Sequence, residues 1–226
     1  MSSSFKSHDK ILFIGDSITD SSRKRPIARS KQVNTPYDQH SGLGSGYVSG
    51  IENLLVSTEP QLKLEIINQG CNGNRITNLQ SRWQRDVIDQ NSDWLVILIG
   101  INDVWRHFDR PQDPNQVSIE QFEEIYTELL VNSQIEAQKK ILMTPYYLEV
   151  KLSCKMRTKM EEYGRVVRKL AKNYQCNLVD LQPAFDNFLK FRSYTDISND
   201  KIHLNRTGHM IISRSFLKTI EAHLPK

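Results

Sequence analysis

The amino-acid sequence predicts an α/β protein, a three-layer α/β/α sandwich built on a five-stranded parallel sheet. Five short apolar runs rich in β-forming residues alternate with longer segments of helical period, a pattern typical of parallel strands joined by helical crossovers. The runs are almost continuously apolar, as expected for strands that helices cover on both faces. The predicted strands are ILFI (11–14), LKLEII (62–67), WLVILI (94–99), KILMT (140–144) and NLVDL (177–181).

Helical segments follow four of these strands. After the second strand, apolar residues recur at spacings of three and four, which marks one face of a helix. After the third, Ser118 stands three residues before Gln121 and opens a segment with an apolar stripe, as in a capping box at a helix N-terminus. Residues 159–174 and 208–224 continue the pattern, and Gly164 is a weak point inside the former. The apolar faces comprise Ile76, Leu79, Trp83 and Val87 in the first helix, Ile119, Phe122, Ile125 and Leu129 in the second, and Ile212, Phe216 and Ile220 in the last.

Length and composition indicate one domain over residues 1–226. With 38% hydrophobic and 25% charged residues, the chain has an ordinary globular composition. Residues 1–9 form a polar leader without the apolar stretch of a secretory signal, and no apolar run approaches the roughly 18 residues of a membrane span. Residues 21–50, rich in Ser, Gly and charge, form a long loop that is a candidate functional or interface region.

The cysteines and the charge indicate which ligands to expect. Cys71, Cys154 and Cys176 are an odd number without CxxC or Cys/His clustering, so we interpret them as reduced thiols of a cytoplasmic protein with no metal site. Dinucleotide, P-loop and HExxH motifs are lacking, so we expect no cofactor. The net charge is +4, with a basic cluster in residues 22–31. We interpret this cluster as a solvated loop or a subunit contact rather than a nucleic-acid patch, because no nucleic-acid-binding motif accompanies it.

Polar side chains suited to acyl transfer stand at the ends of the predicted strands. Ligands of open parallel sheets bind beyond the carboxyl ends of the strands, so residues at those ends are expected to meet. Ser17 follows the first strand, and Asp200 and His203 precede the last helix. A serine hydroxyl needs a base within hydrogen-bond reach. His203 suits that role, and Asp200 would fix its tautomer.

Donors for a tetrahedral intermediate are expected at the same edge. An oxyanion site needs backbone N–H groups or side-chain amides. The candidates are the N–H groups of Ser17 and Gly73 and the side chain of Asn102. We interpret Asp103, the next residue along the chain, as a structural acceptor.

Other residues compete for these roles. His107 is the main rival for the base, with Asp109 as its carboxylate, and Asp196 is the alternative acid. Taken alone, Ser17 could be an ordinary turn residue. The gathering of Ser, Gly, Asn, Asp and His at one predicted edge favours the catalytic interpretation.

Four blocks stand in order along the sequence: GDSITD (15–20), NQGCNG (68–73), GIND (100–103) and DKIH (200–203). They resemble the four blocks of the SGNH (GDSL-type) hydrolases. The resemblance implies their flavodoxin-like sandwich, with Ser17 as nucleophile and oxyanion donor. It also implies Gly73 and Asn102 as the other donors and Asp200 and His203 as acid and base. One departure is Leu204, which stands where the family usually has a proline, and this bears on the local turn.

Longer segments narrow the resemblance to one group of esterases among these hydrolases. In the segments GDSITD, GLGSGYV (42–48), SRWQRDVI, ILIGINDVWR, ILMTPYYLE and HLNRTGHM, the chain is similar to bacterial intracellular carbohydrate esterases of the acetylxylan esterase type. This implies an enzyme that removes acetyl groups from sugar hydroxyls without a metal and forms homo-oligomers. Trp105 and Tyr146 are candidate substrate-binding residues, since a sugar ring could stack beyond the strands, although core packing is the alternative. Asp16 is a candidate substrate contact or an organiser of the turn.

The expected activity is therefore that of a serine esterase acting on an acetylated carbohydrate. A lipid esterase, lysophospholipase or thioesterase with the same triad is one alternative, and a catalytically silent ligand-binding module is another. Long acyl chains would need an apolar groove, and the sequence offers no apolar loop segment to line one.

Overall fold

A six-stranded sheet runs through the centre of the computed structural model, which describes residues 5–25, 28–29 and 42–222. Residues 1–4 of the predicted leader, and residues 26–27 and 30–41 of the predicted loop, lie outside the described residues. Within the described ranges, no helix is both long enough and apolar enough to cross a membrane.

Five of the six strands are parallel, which confirms the predicted sheet. The strands are β1 (Lys10–Gly15), β2 (Ala28–Arg29), β3 (Glu65–Gly70), β4 (Trp94–Leu98), β5 (Lys140–Met143) and β6 (Asn177–Val179). The parallel strands lie in the order β3-β1-β4-β5-β6. The two-residue β2 pairs antiparallel with β3 at the sheet edge. The sequence does not predict β2, because two residues carry no hydrophobic period.

Helices form the two outer layers. The helices are α1 (Ser17–Asp20), α2 (Tyr47–Thr58), α3 (Ile76–Asp86), α4 (Ile101–Asp109), α5 (Ile119–Asn132), α6 (Lys155–Asn173), α7 (Leu181–Leu189) and α8 (Arg206–Ala222). Helices α2, α7 and α8 pack together in one layer, and α3, α4, α5 and α6 in the other. All four residues of the predicted first strand, 11–14, are fully buried between these layers.

Of the eight α-helices in the described part of the chain, four were predictable from the sequence and four were not. Helices α3, α5, α6 and α8 confirm the predicted segments, and the Ser118 hydroxyl accepts a hydrogen bond from the Gln121 N–H at 3.2 Å, as expected of a cap. The sequence does not predict α1, α2, α4 or α7. Two of these matter for function, because α1 and α4 begin where the strands β1 and β4 end and carry the polar residues that follow them.

Strand β3 begins three residues later than predicted and ends three residues later. Residues 60–62 form a 3-10 helix instead, and Asn68 lies within the strand rather than just beyond it. Asn68 is fully buried, and its amide nitrogen donates to the carbonyl oxygens of Thr19 and Leu43 at 2.7 and 2.8 Å. These bonds satisfy a polar side chain inside the sheet, where hydrophobicity alone would not place one.

Gly15 and Gly70 let the short helix α1 lie directly on the ends of the strands. A Cβ at Gly15 would lie 2.3 Å from the Leu98 carbonyl oxygen, and a Cβ at Gly70 would lie 2.2 Å from the backbone nitrogen of Asp20. Neither position has room for a side chain. Helix α1 therefore packs backbone to backbone against the end of β3.

We expect Gly70→Ala to lower the free energy of unfolding by about 3 kcal/mol, because the added methyl group would collide with backbone that cannot rotate away. Gly164→Ala in α6 is the matched control, since a Cβ there meets only the end of the Arg168 side chain at 3.5 Å. It should stabilise the protein by about 0.5–1 kcal/mol. Urea unfolding followed by circular dichroism measures both. Equal effects of the two substitutions would contradict the close packing of α1 on β3.

Candidate active site

Ser17 is the first residue of α1, immediately after the end of β1. The preceding residue, Asp16, caps this helix, and its Oδ1 accepts the N–H of Ile18 at 2.9 Å. The turn closes through the N–H of Ser21, which donates to the Ser17 carbonyl oxygen at 3.0 Å. Ser17 is half-buried, so its hydroxyl is held on an ordered turn and is still reachable from solvent.

The segment before α8 carries the predicted base and acid. Asp200 organises this segment with its Oδ1, which accepts the N–H groups of Ile202 and His203 at 2.9 and 2.7 Å. A bridge between Ser198 and Leu204 closes the turn. Leu204 thus takes part in an extended pairing at the position where the family usually has proline.

The structure brings the three predicted catalytic side chains together. Oγ of Ser17 lies 3.0 Å from Nε2 of His203, and Nδ1 of His203 lies 2.6 Å from Oδ2 of Asp200. Because the carboxylate can only accept, Nδ1 carries the ring proton and donates a hydrogen bond to Asp200. Nε2 is then free to accept the hydrogen bond from the Ser17 hydroxyl.

Asp200 is held in its ionised form. Burial opposes the charge, but the hydrogen bonds from the His203 ring and from the backbone N–H groups of Ile202 and His203 outweigh it, so the pKa of Asp200 lies below its usual value. The His203 side chain is 47% exposed. The ring therefore has a fixed partner on one nitrogen and an accessible face toward an incoming ester.

Asn102 lies in the first turn of α4, and its neighbours orient its amide. The Arg106 guanidinium, one turn along, donates to Oδ1 of Asn102 at 3.1 Å. Nδ2 therefore faces the other way and donates to the Asn74 carbonyl oxygen at 3.1 Å. An amide nitrogen carries two hydrogens, so one hydrogen of Asn102 is left for a further acceptor.

Gly73 lies in the turn between β3 and α3. Its φ is +78°, a left-handed conformation that favours glycine, and a Cβ there would meet no atom within 4 Å. Gly73 is exposed. Arg82 ties this turn to the sheet, because its guanidinium donates to Asn74 Oδ1 at 2.8 Å and to the carbonyl oxygens of Gln69 and Gly15 at 2.8 and 3.1 Å.

The three candidate substrate-binding residues have different positions. Trp105 is half-buried, and its ring meets the His203 ring edge-on, with centroids 5.9 Å apart, so it lies beside the site. For Tyr146 the prediction is wrong, because the ring is fully buried and its hydroxyl donates to the Ile202 carbonyl oxygen at 2.7 Å. For Asp16 substrate contact is also wrong, since this fully buried residue organises the turn.

The rival residues are engaged elsewhere. Nε2 of His107 lies 3.0 Å from the Val117 carbonyl oxygen, and Asp109 forms an ion pair with Arg106. Asp196 accepts a hydrogen bond from the Arg192 guanidinium at 2.9 Å. None of these contacts involves Ser17 or His203.

The sequence does not reveal every residue that supports the site. Arg106 was missed because it orients Asn102 only through the helical spacing of four residues, and the sequence does not predict α4. Arg82 belongs to the quoted segment SRWQRDVI, but nothing in its spacing indicates that its guanidinium has four backbone and side-chain acceptors. Arg23, in the predicted basic cluster, is buried, and its Nε donates to the Gly70 carbonyl oxygen at 2.6 Å. This residue is therefore part of the scaffold and not of a solvated loop.

An open pocket of about 450 Å³ adjoins the site. Its wall combines apolar residues with residues that can form hydrogen bonds. The lining residues are Ile18, Ser21, Ser22, Ser45, His203, Leu204, Asn205, Arg206 and His209.

Comparisons with known proteins agree on one family. The sequence pattern of the GDSL-like lipase/acylhydrolase family matches residues 13–211. An acetylxylan esterase of Geobacillus stearothermophilus is 39% identical over 215 residues, which cover 95% of this chain and 94% of the relative. The crystal structure of an acetylxylan esterase from the same organism matches with a TM-score of 0.89 at 38% identity, covering 96% of this chain and 95% of the other.

Further solved structures extend the comparison. An α/β hydrolase from the metagenome of Lake Arreo, Spain, matches with a TM-score of 0.88 at 34% identity, covering 98% of this chain and 99% of the other. Structures of the Geobacillus esterase include catalytic mutants in which a serine, an aspartate or a histidine is replaced by alanine. The same three residue types meet in this chain as Ser17, Asp200 and His203.

Two fully buried carboxyl groups lie beneath the site. Oδ1 of Asp16 accepts the Ile18 N–H and Oδ1 of Asp103 accepts the Ile76 N–H, both at 2.9 Å, which supports the interpretation of Asp103 as a structural acceptor. The Oδ2 atom of each has no hydrogen-bond partner among the described residues. Burial raises the pKa of both carboxyls to about 7, and the charge of Asp103 adds to the rise at Asp16.

We expect these carboxyl groups to make the stability depend on pH. Their ordinary pKa is 3.8, so between about pH 4 and 7 the folded protein binds more protons than the unfolded chain, and the free energy of unfolding falls as pH rises. Asp103→Asn cannot ionise and should reduce this slope by on the order of 1 kcal/mol per pH unit. Urea titrations from about pH 5 to 7 measure it. Parallel slopes for the two proteins would show that Asp103 does not titrate in this range.

Proposed function

The chain belongs to the GDSL-like lipase/acylhydrolase family, and from this premise we propose that it is a serine esterase that removes acetyl groups from carbohydrate hydroxyls. The observation that carries the proposal is the continuous hydrogen-bond path from the Ser17 hydroxyl through the His203 ring to the Asp200 carboxylate. That path couples a nucleophile to a base of fixed tautomer, which is what acyl transfer requires.

The reaction proceeds through an acyl-enzyme on Ser17. Oγ of Ser17 attacks the acetyl carbonyl carbon while Nε2 of His203 takes the hydroxyl proton. The tetrahedral intermediate collapses, the ester C–O bond to the sugar breaks, and His203 gives its proton to the departing sugar oxygen. Water then attacks the acetyl group, His203 again takes and returns a proton, and acetate leaves Ser17 free. Asp200 orients the ring throughout and stabilises its charged form.

The negative oxygen of the intermediate needs donors that are in place beforehand. In the proposal these are the N–H groups of Ser17 and Gly73 and the free hydrogen of the Asn102 amide. The orientation of Asn102 by Arg106 and Asn74 supports this role, because the amide does not have to reorganise when charge develops.

Two observations favour an acetylated carbohydrate as substrate. The relative that is 39% identical is an acetylxylan esterase. The half-buried Trp105 ring next to His203 offers a flat surface against which a sugar ring could pack.

The location and assembly of the protein are part of the proposal. We place the enzyme in the cytoplasm, in agreement with the free thiols of Cys71, Cys154 and Cys176. We also propose a homo-oligomer, on the basis of the resemblance to acetylxylan esterases. Light scattering of the purified full chain measures its mass directly, and a mass of one chain would contradict this part.

We expect Ser17→Ala to lower kcat for p-nitrophenyl acetate by at least about a thousandfold, because the proposed acyl-enzyme forms on the Ser17 hydroxyl. Ser57→Ala, at an exposed serine of α2, is the matched control and should keep full activity. A fluorophosphonate should modify the wild type at Ser17 and leave Ser17→Ala unmodified. If the wild type resists this reagent and releases no p-nitrophenol, the chain is a binding module.

The same assay, run on esters of different acyl chain length, shows which acyl group the enzyme prefers. Acetate esters should be cleaved faster than octanoate esters, and acetate should be released from acetylated xylo-oligosaccharides or peracetylated glucose. A clear preference for octanoate would favour a lipid esterase or thioesterase over the proposed substrate class.

We expect Asn102→Ala to lower kcat by about a hundredfold or more with little change in KM, since the lost donor acts mainly on the transition state. Steady-state kinetics on p-nitrophenyl acetate measure the split between kcat and KM. A change confined to KM would assign Asn102 to substrate binding rather than to the oxyanion.

A further inference from the structure

A second serine–histidine hydrogen bond lies beside the pair formed by Ser17 and His203. Nε2 of His209 is 3.2 Å from Oγ of Ser21. Ser21 closes the turn of α1, through its N–H bond to the Ser17 carbonyl oxygen, and His209 lies in the first turn of α8, six residues after His203. The two serine–histidine bonds therefore join the same two short segments of the chain.

The proton arrangement of this second pair is opposite to that of the first. Nδ1 of His209 lies 3.2 Å from the backbone nitrogen of Tyr47, and since an N–H can only donate, Nδ1 must accept. In the neutral ring Nε2 then carries the hydrogen and donates to Oγ of Ser21. The Ser21 hydroxyl donates in turn to the Ile18 carbonyl oxygen at 3.2 Å. His203 accepts from its serine, whereas His209 donates to its serine.

The surroundings of His209 keep the ring neutral. The side chain is buried between α2 and α8 and stacks on the Tyr47 ring, with centroids 6.4 Å apart. Burial, with a smaller contribution from the charge of His203, lowers the pKa of His209 to about 4. In the charged ring Nδ1 would also carry a proton, and that proton would point at the Tyr47 N–H. The donor direction toward Ser21 is therefore fixed by geometry as well as by charge.

Gly46 provides the space in which this bond forms. A Cβ at Gly46 would lie 2.3 Å from Oγ of Ser21 and 3.1 Å from Cε1 of His209. The segment GLGSGYV thus brings the start of α2 close against both partners. Three elements, α1, α2 and α8, meet at one histidine ring.

We infer that His209 is a positioning residue, which holds the α1 turn against α8 through Ser21 and thereby sets the distance between the Ser17 hydroxyl and the His203 ring. It acts through Ser21 and exchanges no proton in the reaction. The inference rests on the proposed esterase function, because its effect is measured on the reactivity of Ser17. A four-residue helix has too few internal hydrogen bonds to hold its own position, so α1 depends on external contacts. The Ser21–His209 bond is a contact that joins the end of this turn to α8.

The two hydrogen bonds of His209 can be separated by substitution. His209→Gln places an amide nitrogen near the position of Nε2 and keeps the donor to Ser21, while it loses the acceptor for Tyr47. His209→Asn keeps an acceptor near the position of Nδ1 and loses the donor to Ser21. We expect His209→Asn to lower kcat about tenfold with KM nearly unchanged, and His209→Gln to stay within about threefold of the wild type.

A merely structural role would give a different pattern. If His209 only stabilised the fold, kcat would follow the melting temperature, and the variant that loses the Tyr47 contact would suffer at least as much as the other. Equal kcat values for the Asn and Gln variants would therefore overturn the inference. Reaction rates with a fluorophosphonate, followed by mass spectrometry, report the reactivity of Ser17 independently of the ester chosen.

A double-mutant cycle tests the partner of His209. Ser21→Ala should reproduce the loss of kcat seen for His209→Asn, and the double variant should lose little more than either single one. Losses that multiply would contradict a shared hydrogen bond. His8→Asn, at an exposed histidine near the N-terminus, is the control and should leave kcat unchanged. An inactive wild type would defeat the proposed function itself, whereas an active wild type with equal Asn and Gln variants would defeat only this inference.

Discussion

The contact on which the site depends is the backbone packing of α1 against the ends of β1 and β3. Gly15 and Gly70 leave no room for a side chain at this junction, so the turn that carries Ser17 lies within van der Waals distance of the sheet. The neighbouring strand ends, β3 and β4, lead into the turn with Gly73 and the helix with Asn102. Because these elements share one sheet, the nucleophile and its candidate oxyanion donors are set by the strand register rather than by flexible loops.

Hydrogen bonds from neighbouring buried residues fix the position of the α1 turn. Asp16 caps its N-terminus, Asn68 binds the Thr19 carbonyl oxygen, and the Thr19 and Tyr47 hydroxyls lie 2.9 Å apart. Each of these partners is fully buried, so each hydrogen bond forms away from water and loses a satisfied polar group if it breaks. Three contacts of this kind around four residues hold the nucleophile more firmly than any local helix propensity could.

The sequence predicted the parallel sheet, four helices and the meeting of Ser17, Asp200 and His203, because apolar period and strand-end position determine them. It did not predict α4, since the polar residues Asn102 and Asp103 look like a turn along the sequence. In the structure they lie in the first turn of this helix, where they accept hydrogen bonds from Arg106 and Ile76. Tyr146 was misplaced for a related reason. A tyrosine beyond a strand can face solvent or the core. Tyr146 faces the core, where it contacts the Phe185 ring and the Ile202 carbonyl oxygen, both distant along the chain.

The exposure of the Asp200–His203 pair shows how Asp200 acts in the proposed mechanism. The two side chains are 41% and 47% exposed, and at such positions solvent screens much of the Coulomb attraction between charges. The contribution of Asp200 must then come mainly from the orientation that it imposes on the His203 ring. Its Oδ1 holds the Ile202 and His203 N–H groups and its Oδ2 holds Nδ1 of the same histidine, so a single carboxylate fixes both the backbone and the ring. An amide at this position could keep the backbone bonds, but its nitrogen would meet the Nδ1 proton and favour the other tautomer. The carboxylate is thus required for the ring orientation even where its charge is largely screened.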